Sequence, residues 1–143
     1  MAYKFYKTNG IEEIKPINKD FSHVSDPYKL YDLLDYIWCE YSCAPRMRKD
    51  WSESNKTLGQ CSITSFLVQD IFGGEVYGVP LEDGSFHCFN VVGDKEFDLT
   101  SEQFGNTKLV YTRNFPQNRE VHFASEEKYQ RYLYLREKVL IHK

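Results

Sequence analysis

Long apolar runs are missing from this sequence. No stretch approaches the roughly 18 consecutive apolar residues of a membrane-spanning helix, so no membrane partner is expected. The opening MAYKFYKTNG interleaves lysine with tyrosine and has no apolar core; no signal peptide is expected, and the chain reads as cytoplasmic. Basic clusters are missing too. Eighteen Lys and Arg against 21 Asp and Glu leave a net charge of −3, and without a Lys/Arg patch nucleic acid is not an expected partner. Cysteine is sparse. Cys39, Cys43, Cys61 and Cys88 are too few and too scattered for a disulfide scaffold. No Cys-x-x-Cys is present, which disfavours a thioredoxin-type role. A zinc site needs two close ligand pairs, and only Cys39 and Cys43 make one, so no metal or cofactor is expected. Position 67 is Leu, not the arginine that a thiol phosphatase loop carries six residues after its cysteine.

Aromatic residues are plentiful, with 11 Tyr and 10 Phe, and suit a mixed core. A chain of 143 residues fits a single domain, residues 1–143, burying roughly two thirds of its unfolded surface. Residues 1–24 lack periodicity and predict an extended, partly draped arm. Ser25-Asp26-Pro27 announces a helix, a capping side chain before proline at the first helical position. Leu30, Leu33, Leu34, Ile37, Trp38 and Tyr41 follow at helical spacing, so the helix should run on until Pro45 and set Cys39 and Cys43 on one face. Residues 45–56 are polar and predict a surface loop in which Trp51 alone should be tucked away. The run TLGQCSITSFLVQDIFGG, residues 57–74, predicts a second helix with an Ile63, Phe66, Leu67, Ile71 stripe and Gly73 at its left-handed end.

Three strands are expected next, at Glu75–Pro80, Ser85–Val92 and Lys95–Thr100, with Asp83-Gly84 and Gly93-Asp94 turning between them. A fourth is expected at Lys108–Arg113. Ser125 then caps a long amphipathic helix carrying Tyr129, Tyr132, Leu133, Leu135, Arg136 and Val139. Helix, helix, antiparallel sheet, helix is an α+β order.

Cys61 stands where the second helix begins. There it meets unpaired N–H groups and the positive end of the helix dipole, both of which favour thiolate over thiol. The same N–H groups can hold an oxyanion when the thiolate attacks a carbonyl. Such chemistry needs a histidine held by a carboxylate or amide. If Gly93-Asp94 is a two-residue turn, Val92 faces Lys95 and Phe89 faces Asp98. His87 and Asp98 are then diagonal neighbours on one face of the sheet. His23, His122 and His142 fit this role less well. The bland alternatives are a buried structural cysteine, a satisfied strand histidine and an Asp98 that caps a turn. A redox pair of Cys61 with Cys88 is disfavoured, because strand alternation turns Cys88 to the face opposite His87.

Gly59-Gln60-Cys61 at a helix start, a strand with His87 and a strand with Asp98 together resemble the core of papain-like and transglutaminase-like enzymes. Trp51, GQCSITSFLVQDIFGGEV, SFHCFN, FDLTSEQF and the last helix resemble the small bacterial YunG-like proteins, over roughly residues 27–141. The resemblance implies a papain-like α+β fold, with Cys61 as nucleophile, His87 as base and acid, and Asp98 as orienter. Papain-like peptidases often carry an oxyanion-hole glutamine six residues before the cysteine. Here that position is Asn55, which together with Gln60 is a candidate oxyanion or substrate contact, its bland alternative being a loop cap. Trp51 should pack under the helix or wall the cleft. Phe89 stands where transglutaminase-like enzymes frequently have tryptophan, and no second lobe is present for general proteolysis.

The expected function is therefore cysteine-dependent acyl transfer through a thioester on Cys61. The substrate would be a small acyl, amide or peptide compound, free or carrier-bound, and the acceptor water or an amine. The alternative is a non-catalytic binding module that keeps the fold.

Overall fold

The computed structural model describes residues 3–142; residues 1, 2 and 143 of the expected domain lie outside that range. Helix α1 (Pro27–Ile37) starts as its sequence dictates. The Asp26 carboxylate accepts the Lys29 N–H at 2.9 Å and Pro27 fills the first turn. It stops well before Pro45. Trp38 leaves the helical region at φ −51°, ψ 133°, its buried indole donating to Thr64 Oγ1 at 3.1 Å. Ser42 Oγ then accepts from Cys39 N–H and donates to Cys39 C=O, both at 3.0 Å, so a side chain competes for backbone groups that a helix would use. Cys39 and Cys43 consequently share no helix face; Cys43 is buried and Cys39 only partly so. Residues Pro45–Asp50 wind into a 3₁₀ helix in place of the expected loop.

Helix α2 (Cys61–Phe72) is the central element. Ile63, Phe66, Leu67, Val68, Ile71 and Phe72 are all buried, more than a single stripe, because the helix packs between the sheet and the last helix. Gly73, at φ +82°, ends it. Strands β2 (Glu75–Pro80), β3 (Phe86–Val92) and β4 (Lys95–Asp98) form an antiparallel meander. Val92 pairs with Lys95 across the Gly93-Asp94 turn, which is the register of a two-residue hairpin.

The fourth strand is not Lys108–Arg113, which forms no strand. Its place beside β4 is taken by β1 (Tyr6–Lys7), in the sheet order β1-β4-β3-β2. The N-terminal segment is thus no draped arm. Phe5, Ile11, Phe21 and Val24 are buried in the main core, which supplies the apolar area that holds so short a strand in place. After a short helix α3 (Arg119–Phe123), helix α4 (Glu126–Ile141) begins at Ser125, whose hydroxyl accepts the Lys128 N–H at 3.2 Å. Arg119 on α3 clamps Asp70 on α2 through two bonds of 2.8 and 3.0 Å, and Tyr132 on α4 donates to the same carboxylate. This ties the three helices together.

The sheet is covered on both faces. Helix α2 lies on the side of Cys88 and Asn90, where Asn90 Nδ2 donates to Ser65 C=O at 2.9 Å. On the other side Phe89 and Val91 pack with Tyr77, Leu109 and Tyr111. The protein is a small α+β structure with a four-stranded antiparallel sheet.

Candidate active site

Cys61 is placed by the backbone just before it. Gly59 adopts φ +72°, and a Cβ there would lie 2.6 Å from Cys43 Sγ and 2.9 Å from Ala44 N. Only glycine fits such a left-handed position against a neighbouring chain. The Gly59 carbonyl accepts the Ala44 N–H at 2.9 Å, fixing the chain as it enters α2. Gln60 follows as the N-cap residue and gives no side-chain cap. The N–H groups of the first turn therefore remain open beside the Cys61 thiol, at the positive end of the helix dipole.

His87 and Asp98 meet on one face of the sheet, and His87 lines the same cleft as Cys61. The diagonal register brings His87 Nε2 to 2.6 Å from Asp98 Oδ2, with both side chains about 1% exposed. Asp98 serves two masters. Its Oδ1 accepts the Thr100 N–H at 3.1 Å and the Thr100 hydroxyl at 3.2 Å, which is turn capping. Its Oδ2 accepts from His87 and from the Tyr111 hydroxyl at 2.8 Å. All four acceptor positions of the carboxylate are thereby used. The Tyr111 ring stacks on Tyr6 at 3.9 Å and meets Phe89 edge-on. The Phe104 ring meets His87 edge-on at 4.7 Å. Because Nε2 is held by Asp98, Nδ1 is the ring atom left for Cys61.

These neighbours set the protonation states. A hydrogen bond from the Cys88 thiol, opposed by burial and reinforced by the His87 charge and hydrogen bond, holds Cys61 well below the usual thiol range. Burial opposes charge on His87, yet Asp98 and Cys61 together push it up to about 10. Cys88, donating to its neighbour and buried, is pushed well up. The side-chain alternation that separates Cys88 from His87 is present, but it does not keep Cys88 from Cys61. Helix α2 packs on the Cys88 face, and its tip meets the start of β3 from that side.

A cleft of about 880 Å³ opens over Cys61 and His87. Its walls come from the chain before α2, the β2–β3 turn, the 3₁₀ turn with Phe104 and the start of α4. Lys128 and His122 line it too. The Lys128 ammonium donates to His122 Nδ1 at 2.9 Å, and His122 Nε2 donates to Gln117 Oε1 at 2.8 Å. Burial and the Lys128 charge lower His122 to about 4, so its ring is neutral at pH 7. Sequence reasoning set His122 aside and did not single out Lys128, Tyr111 or Cys88 as site residues. Lys128 and His122 converge through packing of α3 on α4, and Tyr111 lies in the Lys108–Arg113 segment, irregular where a strand is expected. Cys88 was legible from which face α2 covers, which strand alternation by itself does not state.

The three proposed substrate contacts fall elsewhere. Trp51 does not line the cleft; its Nε1 donates to Lys56 C=O at 3.0 Å, closing its own loop. Asn55 does not line it either, and acts through its backbone in turns with Ser52 and Leu58. Gln60 is fully buried. Its amide Nε2 donates to Cys39 C=O at 3.1 Å, pointing away from the cleft, and its Oε1 has no partner among the described residues. Among the described residues no group of three or more His, Cys, Asp or Glu is placed to hold a metal ion. No helix there is long and apolar enough to cross a membrane.

Fold and site together define a small α+β protein with a thiol, an imidazole and a carboxylate in sequence behind one cleft. The family described as YunG protein matches residues 26–143, and the chain belongs to that family. It is similar to "Uncharacterized protein YunG" of Bacillus subtilis (strain 168), with 32% identity over 100 residues that cover 68% of this chain and 80% of that protein. No solved structure matches it.

Proposed function

We propose that this protein is a cysteine-dependent acyl-transfer enzyme on a papain-like scaffold. The observation that carries the reading is the buried 2.6 Å His87–Asp98 couple, with His87 lining the same cleft as the Cys61 thiol. With Cys61 ionised and His87 holding its proton, the thiolate attacks an amide, ester or thioester carbonyl. The carbon–sulfur bond forms, and the oxyanion is held by the open N–H groups of the first α2 turn. Asp98 fixes the His87 tautomer, so that the Nδ1 proton passes to the leaving group as the old acyl bond breaks. Water or an amine then gives a proton back to Nδ1 as it attacks the thioester, and the thiolate leaves.

Intact-mass analysis after incubation with p-nitrophenyl acetate and with an acyl thioester tests this. The expected result is one acyl group on Cys61, discharged by hydroxylamine or an amine and absent in Cys61→Ser. Failure of ester, thioester and activated amide alike to acylate Cys61 overturns the reading in favour of a binding module.

A further inference from the structure

We propose that the cleft selects acyl donors bearing a carboxylate beyond the reacting carbonyl, with Lys128 as the residue that reads it. The inference rests on the acyl-transfer reading and names its substrate class. Besides the His87 imidazolium, which is paired with Asp98, three cationic side chains line the cleft, Arg46, Lys128 and Arg131, and among the described residues no Asp or Glu does. Two of the three are already engaged. Arg131 donates to Glu127 at 2.7 Å and to Ser42 C=O at 3.1 Å, and Arg46 lies 3.8 Å from Asp83 at the exposed rim. Lys128 differs. Among the described residues its one side-chain bond is to His122 Nδ1, a neutral acceptor. Among the described residues no carboxylate lies within ion-pair distance of its nitrogen. Two of the three ammonium N–H donors are left to face the cleft.

A half-buried ammonium without a counter-ion is costly, and the charges nearest to it explain why it is tolerated. Burial lowers the Lys128 pKa; charge on Cys88 and Cys61 and, less strongly, on Glu127 opposes that lowering, and Arg131 adds to it. A carboxylate on the acyl chain supplies the counter-ion that Lys128 lacks within ion-pair distance, so the acylated enzyme is stabilised when the substrate brings its own anion. The Gln117–His122–Lys128 chain of bonds holds the ammonium in place without neutralising it, as a specificity residue needs. The mainly apolar remainder of the cleft, with Met47, Leu58, Phe86 and Val121, suits the aliphatic spacer between carbonyl and carboxylate.

Alkylation of Cys61 tests the idea without needing the natural substrate. N-iodoacetylglycine and N-iodoacetyl-β-alanine are compared with their uncharged carboxamides, each rate being measured by peptide mapping at low and high salt. The expected result is a carboxylate preference on the order of tenfold at low salt, the worth of one charge-assisted hydrogen bond. It shrinks in salt, disappears in Lys128→Gln and survives in Lys128→Arg. Dividing by the carboxamide rate removes any effect of Lys128 on the thiolate itself. Equal rates for the two series, or a preference unchanged in Lys128→Gln, overturn the inference and leave acyl transfer standing. A Cys61 that resists both series removes the acyl-transfer reading and this inference with it.

Discussion

Replacing Asp98 by Asn tests the site most directly, because the carboxylate does two jobs at once. Its Oδ1 caps Thr100 at 3.1 Å and its Oδ2 holds His87 at 2.6 Å. An amide can do only one of them well. If the Asn oxygen stays on the Thr100 N–H, the NH₂ group faces His87 Nε2, where a donor meets a donor. His87 then has to surrender its Nε2 proton and carry its hydrogen on Nδ1 toward Cys61. Neutral and in the wrong tautomer, it no longer stabilises the thiolate by its charge and cannot accept a proton from the thiol, a defect that lowers rate by up to about 10⁴-fold in comparable sites. If instead the oxygen turns to His87, the NH₂ group meets the Thr100 N–H and leaves a buried donor unsatisfied, at about 1–3 kcal/mol. Either outcome keeps the fold. Urea denaturation should show a loss of no more than about 3 kcal/mol, while labelling of Cys61 by an acyloxymethyl ketone at neutral pH slows strongly. An Asp98→Asn protein that labels as fast as the parent at parental stability would remove Asp98 from the site.

Other expectations follow from the same geometry. Because Cys61 is held well below the usual thiol range, its iodoacetamide alkylation should change little between pH 8.5 and 6, where an ordinary thiol slows roughly a hundredfold; a drop of that size at Cys61 refutes the low pKa. Cys88→Ala removes the largest cause of the lowering, so the alkylation profile of Cys61 should move to higher pH, and an unmoved profile assigns the effect to His87 alone. Gly59→Ala forces a side chain into a φ +72° position against Cys43 and Ala44, which should cost roughly 2–5 kcal/mol and be seen as a lower urea midpoint. Folded His87 keeps its proton to about 10 and unfolded histidine loses it near 6.5, so this proton stabilises fully below about 6.5 and less as pH rises toward 10. Cys61, ionised when folded, gives an opposite gain up to its unfolded value near 8.5, so the parent should lose thermal stability mainly between about 8.5 and 10, and Cys61→Ala from lower pH. A parent whose stability is flat to pH 10 contradicts the raised His87.

Local signals settled a good part of this molecule. Asp26-Pro27 and Ser125 start helices because a side-chain acceptor satisfies N–H groups that no helix can satisfy for itself. Gly93-Asp94 dictates a two-residue turn, and the twofold alternation of strands then puts His87 and Asp98 on one face. Only the tertiary structure decided the rest. A two-residue β1 has too little periodicity to read, and it forms because Phe5, Ile11 and Phe21 bury beside it. The first helix ends at Ile37 because Trp38 finds Thr64 on another helix, a partner 26 positions along the chain that no local pattern contains. Gln60 looked suited to an oxyanion and turned inward to Cys39, since a fully buried amide takes the nearest carbonyl. Cys88 acts on Cys61, and Lys128 lines the cleft beside His122, because α2 covers one particular face of β3 and α4 packs on α2. Spacing along a chain determines which side chains share a face; which faces are pressed together is decided by where apolar area is buried most completely.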